Sequence, residues 1–203
     1  MAQPSRRRGL LTFVIPVILG LVPLQAATVS RENADVFARK LSEILGQGGV
    51  SEGIRPRCTP VTEGEVNSWF MYTAQPLLPA GVLQPQITLV GQGRLTGQAI
   101  IDLDAVARGR STGGRLDPWS FVGGRVPVSV TGLLHTGDGV GRFEVESAEI
   151  SGVPIPTTLL QELLGQYSDT PGFPQGLTLD DAFQLPASIR KIEVGQGQAV
   201  VVQ

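Results

Sequence analysis

Hydrophobic spacing divides the chain into a helical N-terminal part and a longer strand-rich part. Apolar residues recur at helical intervals in residues 30–45 and again in residues 62–72, which predicts two amphipathic helices. The first segment begins with a serine that suits an N-cap, and Thr62 with Glu65 forms a capping-box pattern at the start of the second. Gly and Pro residues are frequent between the two helices, so residues 46–60 are predicted to be a linker.

From residue 86 the hydrophobic period changes to two, which is typical of strands that bury one face. The alternating segments are separated by turn sequences, namely Gly91-Gln92-Gly93, Gly137-Asp138-Gly139 and Gly195-Gln196-Gly197. Between Val145 and Ala148 the alternation slips by one residue, which predicts a β-bulge. The Gly- and Arg-rich residues 104–116 are predicted to form a loop between two strands.

A third helical pattern interrupts the strands at residues 153–167. Its leucines and Tyr167 share one face, and Thr158 and Gln161 are spaced as a capping box after two prolines that favour an extended chain. Because strand-like sequence lies on both sides, we expect this helix to cover the sheet together with the helix at residues 62–72.

These elements predict an α+β fold, in which a bent antiparallel sheet of about six strands packs on, or wraps around, two or three helices. The chain has 203 residues, which is enough for one domain with its own core after a leader is removed. We therefore expect a leader at residues 1–27, a helix and linker at residues 28–60, and a single α+β domain at residues 61–203.

The leader has the composition of an export signal. Three consecutive arginines precede an uncharged apolar run at residues 9–24, and Ala26 and Ala27 supply small residues at its end. The run is shorter than the roughly 20 residues of a transmembrane helix, and it contains two prolines. The sequence therefore predicts an exported protein, periplasmic or extracellular, with a membrane tether as the alternative if the leader is not cleaved.

The charge balance argues against a nucleic-acid partner. Loss of the leader removes 3 of 16 basic residues and none of the 18 acidic ones, which leaves a net charge near −5. No basic run then remains to bind phosphates or to hold an anionic lipid surface by charge. The single cysteine, Cys58, cannot form an internal disulfide and is expected to be a small apolar residue near a turn, with intermolecular pairing as the alternative.

Residues 49–53 match the G-x-S-x-G pattern of hydrolase nucleophile elbows, with Ser51 in the nucleophile position. Aspartates at 102, 104 and 117 and the only histidine, His135, follow in the order of a catalytic triad. An elbow needs a buried strand before the serine and a helix after it, whereas here a glycine-rich stretch precedes Ser51 and Pro56 follows it. We therefore interpret the pattern as part of a flexible linker, and we do not expect an enzyme.

The other polar candidates have the positions of solvated groups. His135 lies at a hairpin end, Asp102 and Asp104 lie on the polar face of a strand, and Asp180 and Asp181 lie in a turn. One histidine and one cysteine cannot build a transition-metal site of the usual spacing, so we expect no metal and no cofactor, with Ca²⁺ at the aspartates as the remote alternative.

Three segments carry a family resemblance: VTEGEVNSWF at 61–70, GVPIPTTLLQELL at 152–164 and FQLPASIRKIEVGQGQAVVV at 183–202. Their order resembles that of exported bacterial envelope proteins of the tubular lipid-binding type, related in fold to bactericidal/permeability-increasing proteins. The resemblance covers about residues 61–203. It implies a bent antiparallel sheet that wraps a long helix and leaves an apolar groove for acyl chains, and it transfers no individual site residue.

The function we expect is non-catalytic binding of a lipid or another apolar small molecule in a groove between the sheet and the helices. The membrane surface and other envelope proteins are further candidate partners. The alternative is a structural or interaction module of the envelope with a solid core, which makes contact through residues 107–115 or an exposed edge strand. Candidate groove residues are those on the inward faces of the predicted elements: Val66, Trp69, Phe70, Leu95, Ile101, Val128, Val130, Phe143, Leu160, Leu163 and Leu164.

Overall fold

The computed structural model describes residues 28–46, 56–109, 124–161, 178–179 and 181–203, and for residues 107–109 it describes the backbone alone. The helices in this part of the chain are α1 (Arg31–Gly46), α2 (Glu63–Tyr72), the 3₁₀ helix η1 (Gln75–Leu77) and α3 (Leu103–Gly109). The strands are β1 (Cys58–Thr62), β2 (Val82–Gly91), β3 (Arg94–Asp102), β4 (Arg125–Gly137), β5 (Val140–Ile150), β6 (Val153–Pro154), β7 (Ala182–Gln184), β8 (Lys191–Val194) and β9 (Gln198–Val202).

The strands form two antiparallel sheets. The larger is a bent six-stranded sheet with the order β2-β3-β4-β5-β6 and with β7 also paired to β5, and it is not closed into a barrel. The smaller has the order β1-β9-β8, so a strand that precedes α2 pairs with the last strand of the chain. The predicted α+β fold with a bent antiparallel sheet of about six strands is confirmed.

Strand β1 lies partly inside the predicted linker, so that prediction is wrong for residues 58–60. Within β1, Pro60 stands opposite Val200 of β9. A proline has no N–H to donate, and the Pro60 carbonyl accepts a hydrogen bond from Lys40 Nζ at 2.7 Å. The local sequence is rich in turn-forming residues, and it becomes a strand because a partner from the far end of the chain lies beside it.

Helices α1 and α2 begin where their capping residues predict. The Ser30 hydroxyl accepts a hydrogen bond from the Asn33 N–H at 3.1 Å. At α2, Thr62 accepts from the Glu65 N–H at 3.2 Å, and the Glu65 carboxylate accepts from the Thr62 N–H at 3.0 Å. The predicted N-cap and capping box are therefore confirmed.

The two helices pack against each other. At the start of α1, the Ser30 N–H donates to the Ser68 hydroxyl of α2 at 3.1 Å. Further along α1, Lys40 Nζ lies 2.8 Å from both carboxylate oxygens of Glu65, whose side chain is nearly buried. Because an unpaired carboxylate is costly to bury, this ion pair holds α1 in place on α2.

The slip in the hydrophobic pattern of β5 is a β-bulge, as predicted. Thr131 of β4 stands opposite Ser147 and the next residue, Gly132, stands opposite Val145, which leaves Glu146 as the extra residue. The three Gly-containing turn sequences join adjacent antiparallel strands, and those predictions are confirmed as well.

The predicted loop at residues 104–116 begins as a helix, so this prediction is wrong for the part that belongs to α3. The Asp102 carboxylate accepts from the Ala105 N–H at 2.9 Å, which caps the first turn of α3. Gly124, where the described chain resumes, donates its N–H to the Asp104 carboxylate at 3.2 Å. Residues 110–116 lie outside the described residues.

The third predicted helix is described only at its start, where residues 157–161 are helical. Thr158 is already inside the helix, so the predicted capping box is wrong. The Gln161 side chain accepts instead from the Leu179 N–H at 2.7 Å. Residues 162–167 lie outside the described residues.

The buried core of the described residues lies between α1 and the three-stranded sheet. It consists of Ile44, Val61, Ile189 and Val201, and the partly buried Phe37, Val66, Leu185, Ala187 and Ile192 pack around them. The buried side chain of Gln203 donates to the carbonyl oxygens of Ile44, at 3.0 Å, and Ala187, at 2.7 Å. The C-terminus is therefore tied into this core.

Polar side chains of α2 occupy the outer edge of β2. The Asn67 amide accepts from the Ile87 N–H at 2.7 Å and donates to the Ile87 carbonyl at 2.8 Å, as a neighbouring strand would. Glu63 accepts from the Leu89 N–H at 2.7 Å. Gly197, next to β9, donates to the Leu89 carbonyl at 2.8 Å. These bonds join the two sheets and protect β2 from pairing with another chain.

Candidate ligand-binding surface

One face of the six-stranded sheet is almost entirely apolar. Residues that stand directly opposite each other in antiparallel strands share a face, so the register defines its members. We define the apolar face as these residues of β2 to β5: Val82, Ile87, Leu89, Leu95, Gly97, Ala99, Ile101, Val126, Val128, Val130, Gly132, Leu134, Phe143, Val145, Ala148 and Ile150.

This face brings together five of the sequence-predicted groove residues: Leu95, Ile101, Val128, Val130 and Phe143. All five are half-buried, whereas the core residues beside the small sheet are buried. The prediction from alternation was therefore right about which side chains share a face. Two other members of the face, Leu89 and Ala148, are buried, so the face is covered in part, which the alternation did not indicate.

Among the described residues, nothing fills the centre of the apolar face at Gly97. This glycine stands between Ile87 of β2 and Val130 of β4. A Cβ atom built on Gly97 meets no heavy atom of the described residues within 4 Å. The missing side chain therefore leaves a recess in an aliphatic surface. Sequence reasoning did not single out Gly97, although a glycine at an inward position of an alternating strand is a readable signal of close approach or open space.

Two phenylalanines close one end of the apolar face by lying over glycines. A Cβ atom on Gly132 would come within 2.7 Å of the Phe143 ring, and one on Gly141 would come within 2.6 Å of the Phe183 ring. Phe183, on β7, stands opposite Gly141 of β5 and is 43% exposed. Neighbouring rings thus fill the space beside Gly132 and Gly141, whereas no described residue fills the space beside Gly97. Sequence analysis missed the role of Phe183.

The opposite face of the same sheet carries charged and hydroxyl groups beside a few apolar residues, namely Leu83, Ile100, Pro127 and Leu133. Arg94 Nε and Nη2 each donate to a carboxylate oxygen of Glu146 at 2.6 Å. The hydrogen bond from Arg94 holds the pKa of the Glu146 carboxyl below its usual value, and the same contact raises the pKa of the Arg94 guanidinium. Beside this pair, the hydroxyls of Thr96 and Thr131 lie 2.9 Å apart. The sheet is therefore sided, with hydrogen-bonding groups kept on one face.

The predicted groove residues of α2 lie in the helix layer. Val66 packs against the core beside the small sheet. The Trp69 ring lies 5.6 Å from the Phe37 ring of α1 and 5.6 Å from the Phe70 ring. Val66 and Trp69 thus contact α1 and the core.

The predicted groove residues of the third helix are described only in part. Leu160 is half-buried in the short helical segment at residues 157–161. Leu163 and Leu164 lie outside the described residues.

Two shallow grooves are formed by described residues, and each includes few members of the apolar face, namely Ala99 and Val128 in one and Leu134 in the other. One, of about 320 Å³, is lined mainly by polar-face residues that include Gln86, Gln98 and Ser129. The other, of about 360 Å³, lies where the two sheets meet, beside His135 and Ile192. Neither of these two grooves is lined by Trp69 or Leu160, so neither is the expected apolar groove.

The polar residues weighed as catalytic candidates have structural partners. Asp102 accepts the backbone hydrogen bond that caps the start of α3, and Asp104, in the first turn of α3, accepts from the N–H of Gly124. His135 Nε2 lies 3.0 Å from Glu144 Oε2, and both side chains are exposed. Hydrogen bonds from the Thr178 side chain and N–H hold the pKa of Asp181 below its ordinary value. Asp117, Asp180 and the Ser51 pattern lie outside the described residues.

Within the described ranges, no group of three or more His, Cys, Asp or Glu side chains is arranged to hold a metal ion. Cys58 is a free, exposed thiol at the start of strand β1, where the sequence predicted a small apolar residue near a turn. No helix in the described part of the chain combines the length and hydropathy needed to cross a bilayer.

Comparison with known proteins identifies no relative of this chain. No protein-family model matches this chain, and a search of curated proteins finds no significant match. The resemblance to tubular lipid-binding proteins therefore stays a prediction, and function has to be inferred from the geometry of the two sheets.

Proposed function

We propose that this protein is an exported cell-envelope protein that binds a lipid or another apolar ligand on the apolar face of its six-stranded sheet, without catalysing a reaction. The observation that carries the proposal is the recess that the described residues leave at Gly97, in the middle of a face whose neighbouring members are aliphatic. The export-type leader supports a location in the cell envelope.

The dimensions of the apolar face suit an acyl chain. Strand β3 has 9 residues and is therefore about 30 Å long. Four neighbouring strands at about 4.8 Å spacing make a surface about 14 Å wide. The face can therefore accommodate an extended hydrocarbon chain along a strand, with room for a second chain beside it.

Hydrophobic burial alone can provide the affinity. Each buried methylene contributes about 0.8 kcal/mol, so a chain of about a dozen methylenes gains roughly 10 kcal/mol before the cost of association is subtracted. The polar residues of the sheet are held on the opposite face, where Arg94 is paired with Glu146. Binding by shielding from water therefore needs no polar recognition group and no catalytic residue.

The first experiment fills the recess at Gly97 with a larger side chain. The Gly97→Leu variant places a side chain in the open space, and we expect it to weaken binding of a fluorescent fatty-acid probe about tenfold, which corresponds to about 1.4 kcal/mol. The matched control is Gln98→Leu, which adds the same side chain at the next residue, on the polar face, where Gln98 is exposed. Probe binding by this control should equal that of the unsubstituted protein.

Native mass spectrometry of the protein from a lipid-rich expression host provides the second readout. A co-purifying lipid that is reduced in Gly97→Leu and retained in Gln98→Leu supports the proposal. A ligand-free mass together with failure to take up the probe would reject it, and would favour the structural or interaction module. Equal weakening by both variants would place the ligand elsewhere.

A further inference from the structure

Exposed apolar side chains are concentrated at one end of the helix pair. Eight large hydrophobic side chains of the described residues are strongly exposed, and half of them lie here: Val29, Met71, Tyr72 and Leu77. We define these four residues as the apolar tip. Leu77 is 72% exposed and Met71 is 56% exposed. The other four are distributed over α1, β2, β6 and β7, so the tip is the one place in the described chain where such residues gather.

The packing of α1 on α2 brings the start of α1 close to the C-terminal part of α2. The hydrogen bond between Ser30 and Ser68 places the start of α1 beside the last turn of α2. Arg31 lies over the Tyr72 ring, 5.0 Å from its centroid. Helix η1 follows directly and is tied to α2 by the bond from the Ala74 N–H to the Trp69 carbonyl at 2.8 Å. The tip is therefore held by two helices and is not a loose chain end.

The position of the leader indicates what the tip contacts. The apolar run of the leader ends at Leu24, and the described chain begins at Thr28. Four residues span at most about 14 Å even when fully extended. As long as the predicted leader is attached, the covalent chain therefore joins its apolar run to Val29 of the tip through only a few residues.

The chemistry of the tip also suits a bilayer interface. Tyrosine is enriched at the level of the lipid headgroups, because its ring is apolar and its hydroxyl is polar, and arginine can extend its charge outwards from the same depth. Leucine, methionine and valine supply the apolar part that enters the acyl region. Because this contact is apolar, it should depend little on salt.

We propose that the apolar tip docks on the surface of a lipid bilayer and orients the domain there. This inference goes beyond the proposed function: the ligand surface on the sheet and the bilayer contact use different residues. The protein could dock on a bilayer without binding a lipid on its sheet, and it could bind a lipid on its sheet without docking.

The experiment places an environment-sensitive NBD label at the tip of the full chain. Cys58, the only cysteine, is first replaced by Ala, and Leu77→Cys then carries the label. The control is Leu45→Cys, which is also an exposed leucine, at 52%, at the opposite end of α1. An α-helix rises 1.5 Å per residue, so this site lies about 20 Å from Arg31 along α1.

With vesicles of phosphatidylcholine, we expect the label at position 77 to rise in intensity about twofold or more, because it leaves water, and to be quenched by lipids that carry a spin label near the headgroup. The label at position 45 should not respond. A label at Val29→Cys should lose its response when Met71→Ser and Leu77→Ser are combined in the same chain, and raising the salt concentration should not abolish it.

Equal responses at positions 77 and 45 would overturn the proposal, since the leader alone would then account for vesicle binding. A rise in signal at position 77 with protein concentration and without vesicles would also overturn it, because a second copy of the chain would then cover the tip. Fatty-acid probe binding is measured on the same samples, so that failure of the sheet site and failure of the tip are told apart.

Discussion

In the three-stranded sheet, Val61 of β1 and Val201 of β9 are 5% and 9% exposed and pack against Ile44 of α1. In the six-stranded sheet, residues of the same type, such as Val128 and Val130, stay half-buried around the recess at Gly97. Both regions use aliphatic residues at alternating strand positions. They differ in what covers them. Helix α1 and the C-terminal residue Gln203 cover the small sheet, whereas the described residues cover the apolar face only in part.

This contrast separates stability from proposed function within one fold. Close packing of buried methyl groups provides most of the stability of a domain of this size, and the small sheet has that packing. An aliphatic face that its own chain covers only partly contributes less to folding and keeps apolar area available for a ligand. Substitutions in the two regions should therefore differ in what they disturb.

The largest expected effect is the loss of stability when a side chain is removed from the core beside the small sheet. The Ile44→Ala variant should lower the free energy of unfolding by about 2–5 kcal/mol, because it leaves a cavity among buried side chains. The comparison is Ile101→Ala on the apolar face, where Ile101 is half-buried and the loss should be about 1 kcal/mol. Urea denaturation followed by circular dichroism measures both. Equal losses would mean that the two sheets are equally well packed.

A glycine pair tests the same contrast without removing any atoms. Gly132→Ala should lower the free energy of unfolding by about 1–3 kcal/mol, because its new methyl group would overlap the Phe143 ring and the Glu144 carbonyl. Gly97→Ala should change it by no more than about 0.5 kcal/mol, or raise it, because the methyl group enters open space. A strongly destabilised Gly97→Ala would show that the recess is filled.

The smallest expected effect concerns the polar face. The pKa of Glu146 is lowered in the folded protein by its hydrogen bond with Arg94, so this pair stabilises the fold above the ordinary carboxyl value of 4.5 and loses that contribution as the pH falls below it. The Glu146→Gln variant should therefore show a slightly smaller decrease in Tm between pH 7 and pH 3. A larger decrease in Tm in the variant would contradict a lowered pKa for Glu146. Because the pair is substantially exposed, the difference should be small and should shrink further in salt.

Local sequence was sufficient for elements whose signals are local. The capping box of Thr62 and Glu65, the Ser30 cap and the slip that marks Glu146 as a bulge all involve residues within a few positions of one another, and all three are confirmed. The prediction also placed Leu95, Val130 and Phe143 on the same side of one sheet, because strand alternation is a local property.

Predictions failed where a distant partner decided the conformation. β1 forms from a turn-rich stretch because β9 pairs with it, and Gln161 bonds to Leu179 instead of capping its own helix. Trp69 contacts Phe37 of α1, a contact that neither helix sequence indicates by itself. The expected place of Trp69 in a ligand groove stays a prediction.

The sequence by itself determined the α+β class, the sided strands and the starts of α1 and α2, since each depends on periodicity or capping along the chain, while the export-type leader stays a prediction. Only the tertiary structure decided that the aliphatic residues divide into a packed core and a partly open face. The physical reason is that burial depends on which elements lie above a surface. Val201 and Val130 carry the same side chain, and α1 packs against the first while a recess at Gly97 lies beside the second.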